Sequence, residues 1–215
     1  MTAPIVTVRG EAELQGPPDL ATLTCTLHAS GDSAEATRGR LAIGSQAVAE
    51  LLQQYTAALE RHSSTGLHVF PEFGRRTPTK ITGYRGTFST TIVVADFDAL
   101  SALIMVLSEL PDSQLDGPWW SLRRDNAIFR AVRLAAITDA RRRADDYAAA
   151  FGATVAELVE VSDLDGGFGG GARMAMAKGM EMAADDAVFA FEPEVQTVSG
   201  HVTVRFTVRG GSAGG

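Results

Sequence analysis

The chain contains one cysteine in 215 residues, Cys25, which excludes an internal disulfide. That suits a reducing compartment, although many exported proteins also lack bridges. Long apolar runs are missing too: a membrane-spanning helix needs about 20 apolar residues, and the most apolar stretch, 99–107, has half that length. Met1-Thr2-Ala3-Pro4 leads directly into a Val/Thr pattern with no basic n-region and no apolar h-region, so a cytoplasmic protein is expected. Positive charge is in deficit. With 19 Lys+Arg against 26 Asp+Glu, the formal charge of -7 repels phosphate backbones and anionic lipid surfaces, so no nucleic-acid partner is expected. Histidine is scarce, and His28, His62, His68 and His201 show no metal-binding spacing such as i, i+4 on a helix. There is no G-x-S-x-G elbow, and no Ser-His-Asp or Cys-His set can be assigned by spacing. These absences predict a protein without catalytic residues, metal or cofactor.

What is present is an ordinary globular composition, 45% apolar and 21% charged, enough for one well-filled core. A single domain over 1–209 is expected, followed by a flexible Gly/Ser tail at 210–215. Residues 5–14 alternate, with Val6, Val8, Ala12 and Leu14 opposite Thr7, Arg9, Glu11 and Glu13, which predicts a half-buried strand. Gly16-Pro17-Pro18-Asp19 reads as a turn. Residues 20–28 then place Ala21, Leu23, Cys25 and Leu27 on one face, so the two strands are expected to form a hairpin. Ser33 is a candidate N-cap for a helix to about residue 60, with Leu41, Val48, Leu52, Tyr55 and Leu59 at helical spacing. A short strand at 67–70 and a long one at 81–95 follow, then a helix at 97–110 capped by Asp96 and stopped by Pro111. Residues 115–122 form a further strand. An Ala/Arg-rich helix over 125–150 is expected to bury Ile128, Ala131, Leu134, Ala135, Thr138 and Tyr147, with Gly152 as its stop. Strands at 154–161 and 195–208 close the pattern, separated by an aperiodic Gly/Met-rich segment at 163–192 that reads as a long mobile loop. The fold class is α+β: a mainly antiparallel sheet with helices packed on its apolar face.

The order of these elements and the residues at their joints resemble the SIMPL-domain family, which includes bacterial outer-membrane immunogenic and oxidative-stress-defence proteins. The resemblance rests on Val8-x-Gly10, Pro18-Asp19, Gly83-Tyr84-Arg85, Asp96, and Gly117 with Trp120 and Leu122. It continues through Ala131, Ala135, Asp139-Ala140, Ala144 and Gly152 to Gly200-x-Val202-x-Val204-x-Phe206. The resemblance implies self-assembly, since some bacterial members look like large ring-shaped or channel-like oligomers. It also implies partner binding, as in an animal member linked to inflammatory kinase signalling. It carries no agreed enzymatic reaction onto these residues. The chain departs from most bacterial members in showing no export signal.

Several residues stand out as contact candidates. Trp119 and Trp120 alternate across a strand, so one ring is expected inside and the other available as an interface anchor. Met174, Met176, Met180 and Met182 cluster after the glycines of the long loop; thioethers could bind Cu(I), but without a nearby His or Cys they suit adaptable apolar contact better. Cys25 lies between Leu23 and Leu27 on an apolar face and is expected to be core. The arginines at 123, 124, 130, 133 and 141–143 crowd one helix, where Asp139, Asp145 and Asp146 can pair with them. Gly167-x-Gly169-x-x-Ala172 lacks the βαβ setting of a dinucleotide site. The leading expectation is a non-enzymatic interaction protein forming a homo-oligomer, linked to stress response. The alternatives are a small-molecule or metal-binding stress protein with 163–192 as lid, and an unrecognised hydrolase.

Overall fold

The computed structural model describes residues 3–74, 77–163 and 191–210. The elements in chain order are β1 (Ile5–Gly16), β2 (Leu20–Gly31), α1 (Ala34–Gln54), β3 (Leu59–Gly74) and β4 (Thr77–Val94), then a 3-10 turn (Phe97–Ala99), α2 (Leu100–Ser108), β5 (Ser113–Ser121), α3 (Ala127–Ala150), β6 (Ala153–Ser162) and β7 (Gln196–Gly210). They make two antiparallel sheets, ordered β1-β7-β6 and β3-β4-β2-β5. The chain divides into two compact units, one holding β1, α3, β6 and β7, the other β2 to β5 with α1 and α2. The α+β class with helices on apolar sheet faces is what the pattern predicted.

The expected β1–β2 hairpin does not form. Every residue of β1 pairs with β7, from Ile5 opposite Thr207 to Gly16 opposite Gln196, while β2 pairs with β4 and β5. Pro17 and Pro18 have no backbone N–H to offer a ladder, so the turn passes the chain from one sheet to the other instead of folding it back.

In the first unit, α3 is capped by Asn126, whose side chain accepts from the Ile128 N–H at 2.8 Å, and is stopped by Gly152, two residues past Ala150, in the left-handed region at φ 66. Its buried face is Val132, Ala136, Ala140, Ala144 and Ala148. This corrects the face expected from the sequence: Leu134 and Tyr147 are 48% and 56% exposed, and Ala131 and Thr138 are exposed as well. The cause lies in the sheet. A Cβ on Gly10 of β1 would come within 2.0 Å of the Ala136 carbonyl oxygen and 2.5 Å of the Ala140 nitrogen, and one on Gly200 of β7 would meet Val132 at 3.3 Å. The helix backbone rests almost directly on β1, where only alanine fits, and the larger apolar residues of α3 turn outward. Val8, Val202, Val204 and Phe206 complete this core beside the alanines.

In the second unit, β2 is central and buries Ala21, Leu23, Cys25 and Leu27, the face its alternation predicted. Leu41, Val48 and Leu52 of α1 and Leu100, Leu103, Ile104 and Leu107 of α2 cover it. Ser33 caps α1 by accepting from the Ala36 N–H at 3.1 Å. The helix stops at Gln54, short of the expected residue 60, because Leu59 already pairs with Val94 and the Ala58 carbonyl accepts from the Ala95 N–H at 2.8 Å. Asp96 caps as expected, accepting from the Asp98 N–H at 3.0 Å, although its first turn is 3-10. The short strand expected at 67–70 is a 16-residue strand, β3, and both His62 and His68 lie within it. Ser63-Ser64-Thr65-Gly66 looks like a turn locally. Pairing with β4 overrides that preference, and register shifts at 59/61 and 64/66 absorb the irregularity.

Candidate functional site

The candidates reduce to surfaces. Trp119 and Trp120 lie on β5, a sheet edge, opposite Thr22 and Ala21 of β2. The Trp120 ring packs on the core and meets Phe97 edge-on, centroids 4.9 Å apart at 77°, whereas Trp119 is 39% exposed. Gly117 sets this strand: at φ 113, with a Cβ position only 2.7 Å from the Thr22 carbonyl oxygen, no larger residue sits there unstrained. Beside it β2 carries a bulge between Thr22 and Thr24. Met174, Met176, Met180 and Met182 lie outside the described residues, as does nearly all of the expected 163–192 loop.

Sequence reasoning missed three apolar surfaces. On the β3–β4 pair Leu67, Phe70, Phe73 and Ile81 are 46–60% exposed, with Phe73 opposite Ile81 and Phe70 stacked on His68 at 5.9 Å. Pairing of β4 with β2 ends at Tyr84, so the part of β3 and β4 beyond it is two-stranded. On β6, the opposite kind of edge, Leu158, Val159 and Val161 face solvent. The outward side of α3 adds Leu134 and Ile137. The available signal was the length of the 81–95 alternation, which required a long partner strand.

Among the described residues, chemistry-bearing side chains do not converge. Among the described residues no group of three or more His, Cys, Asp or Glu side chains could hold a metal ion. Cys25 is 1% exposed, and burial pushes its thiol pKa up, away from thiolate reactivity. The arginine-rich helix is internally paired, as its spacing predicted: Arg141 to Asp145 at 3.1 Å, Arg142 to Asp139 at 2.7 Å and Arg143 to Asp139 at 2.8 Å. The Arg141 guanidinium also lies 5.4 Å from the centre of the Phe206 ring.

Asp139 does more than neutralise charge. It accepts from the Glu11 backbone N–H at 3.0 Å and so ties α3 to β1. The hydrogen bond from Arg142, the Glu11 N–H and the nearby Arg143 charge hold its carboxyl below the usual carboxylate range. A carboxyl with a depressed folded-state pKa adds stability that is full above its unfolded value, about 3.9, and lost as pH falls through the folded value. Asp139→Asn is therefore expected to melt lower than the parent at neutral pH, with the difference shrinking as pH falls below the unfolded value of about 3.9. Thermal melts of both proteins across that range check it; a difference that does not change with pH would remove the charge from the explanation.

A two-sheet α+β scaffold whose edges are long and unpaired among the described residues, with outward apolar side chains, defines the class. Residues 6–206 match the profile of SIMPL, described as a protein of unknown function (DUF541), and the chain belongs to that family. No curated protein matches it significantly. The glycines that carried the resemblance now have a physical role: Gly10, Gly117 and Gly200 stand where a side chain has little or no room. No helix among the described residues is long and apolar enough to cross a membrane.

Proposed function

We propose that this SIMPL protein is a non-enzymatic interaction protein that assembles with copies of itself through its sheet edges, in a role linked to stress response. The observation that carries the assembly is the β3 edge, sixteen residues long with Leu67, Phe70 and Phe73 exposed along it. Unpaired N–H and C=O groups on a long strand seek another strand, and natural edges are normally blunted by charge, proline or cover. β3 carries Glu60 and Arg61 at its start and Pro71 and Glu72 near its end, the Glu72 carboxylate being engaged by Arg85 at 2.7 Å, and leaves 62–70 without proline, Asp, Glu, Lys or Arg. Trp119 on the opposite edge of the same sheet supplies a second contact, and a sheet with two sticky edges suits closed rings.

Light scattering on a size-exclusion column, over a wide range of protein concentration, tests this. The expected mass is a fixed multiple of 22.7 kDa. The double variant Phe70→Ser, Phe73→Ser is expected to shift it toward the single-chain value with an unchanged circular dichroism spectrum, because both rings are more than half exposed. Trp119→Ser tests the other edge, and deletion of 173–182 tests the methionine-rich segment. A parent protein of 22.7 kDa at every concentration sinks the proposal.

A further inference from the structure

The second unit contains a cleft of about 600 Å³ between the C-terminal half of β2, the middle of α1 and the 110–112 turn. Its volume falls in the range of small-molecule sites, about 300–1,000 Å³. Its depth has a sequence cause. α1 presents Gly44 and Ala47 here, and Gly44 lies so near Leu27 that a Cβ would stand 3.0 Å from the Leu27 Cδ1. Two small residues on a helix leave a trough where ordinary side chains would fill it, and glycine inside a helix is destabilising relative to alanine.

The walls are mostly apolar, with His28, Ser30, Arg40, Arg85 and Asp112 as the polar residues of the lining. Ile43, Leu110 and Pro111 line the cavity, and Ile43 is 74% exposed, an apolar side chain standing at a mouth with nothing over it among the described residues. The far wall is pinned to β2 by the His28 N–H donating to the Asp112 carbonyl at 2.8 Å. Ser113 braces it from below, its hydroxyl within 2.8 Å of the Leu110 carbonyl oxygen. Asp112 itself holds φ 55, a left-handed conformation that asparagine and aspartate tolerate best.

Charge selects the occupant. Two arginines reach the lining. Arg85 is neutralised by Glu72, while Arg40 donates to the Ser30 carbonyl and has no carboxylate partner among the described residues. Asp112 is the one acidic residue in the lining, and it makes no ion pair with Arg40. An apolar trough with an uncompensated guanidinium at its rim fits a molecule with an apolar body and a single anionic head, and guanidinium pairs with carboxylate through strong charge-assisted hydrogen bonds.

We infer that this cleft binds a small amphipathic carboxylate, an acyl or aryl acid, with its carboxylate on Arg40 and its body between Ile43 and Leu110. None of the apolar side chains named for assembly, Leu67, Phe70, Phe73 and Trp119, lines this site. Titrating octanoate into the full-length protein, with backbone amide NMR shifts as readout and octan-1-ol as the uncharged comparison, tests it. Saturable shifts at Gly44, Ile43 and Leu110 are expected, with octanol at least about tenfold weaker, the usual worth of a hydrogen bond to a charged group. Arg40→Gln is expected to erase the preference for the acid, and Ile43→Asp to weaken both ligands; both side chains are exposed, so the spectra of the free variants should keep the parent's dispersion. Absence of saturable shifts, shifts confined to other surfaces, equal affinity for acid and alcohol, or an Arg40→Gln protein that still prefers the acid would each overturn the inference.

Discussion

Gly10→Val is expected to dismantle the first unit. The new Cβ would need to occupy space 2.0 Å from the Ala136 carbonyl oxygen and 2.5 Å from the Ala140 nitrogen, both helix backbone atoms that cannot rotate aside. Overpacking a core with flexible neighbours costs about 1–3 kcal/mol; here α3 itself must lift from β1, so a loss above about 3 kcal/mol is expected. Lifting it also breaks the Asp139 to Glu11 hydrogen bond and uncovers the alanine stripe. Gly39→Ala is the matched control. Gly39 lies on the exposed face of α1 with nothing within 4 Å of its Cβ position, so alanine there should gain roughly 0.5–1 kcal/mol through helix propensity. Thermal melts of the two variants should therefore move in opposite directions. A Gly10→Val protein that melts with the parent would mean α3 does not seat on β1 as described.

Leu23→Ala is expected to cost about 2–5 kcal/mol, through lost burial and an unfilled cavity. Leu23 is 0% exposed on the central strand, in a core that includes Leu52, Ile92, Leu103 and Leu107. Leu67→Ala makes the same chemical change on β3, where the side chain is 53% exposed in the single chain, and should stay within about 0.5 kcal/mol of the parent at protein concentrations below those of assembly. Urea denaturation should show a large fall in midpoint for the first and little for the second, at similar slope. Cys25 supplies an internal reporter, since it is two residues from Leu23 on the same buried face and is the only thiol. Its reaction with a disulfide reagent should be slow in the parent and Leu67→Ala, and faster in Leu23→Ala as opening becomes more frequent. Equal midpoints for the two leucine variants would contradict the placement of β2 at the centre of the sheet.

The legible parts of the candidate site were those governed by period-2 alternation. Trp119 and Trp120 are neighbours on a strand, and alternation alone separates an outward ring from an inward one, as their 39% exposure and core packing respectively show. The β3 edge was hidden because Ser63-Ser64-Thr65-Gly66 has turn composition, and its strand character depends on β4 lying alongside. The cleft was equally hidden. Gly44 taken locally is only a weak point in a helix, and its role beside Leu27 exists only once α1 lies across β2.

Local chemistry determined most of the elements. Alternation along β1, β2, β4 and β7, the caps at Ser33 and Asp96, and the stop at Gly152 depend on a few neighbouring residues, so they are written in the chain order itself. Partnership was decided elsewhere. Two alternating strands with Gly-Pro-Pro-Asp between them fit a hairpin by local rules, yet β1 belongs with β7 nearly the whole chain length away. The face of α3 was likewise set by distance: hydrophobicity favoured Leu134 and Tyr147, while bare backbone at Gly10 and Gly200 drew the helix so close that alanine had to face inward. A short-range pattern records which residues prefer burial. Which of them are buried depends on the shape of the surface that arrives opposite, and that surface is built from residues far away in sequence.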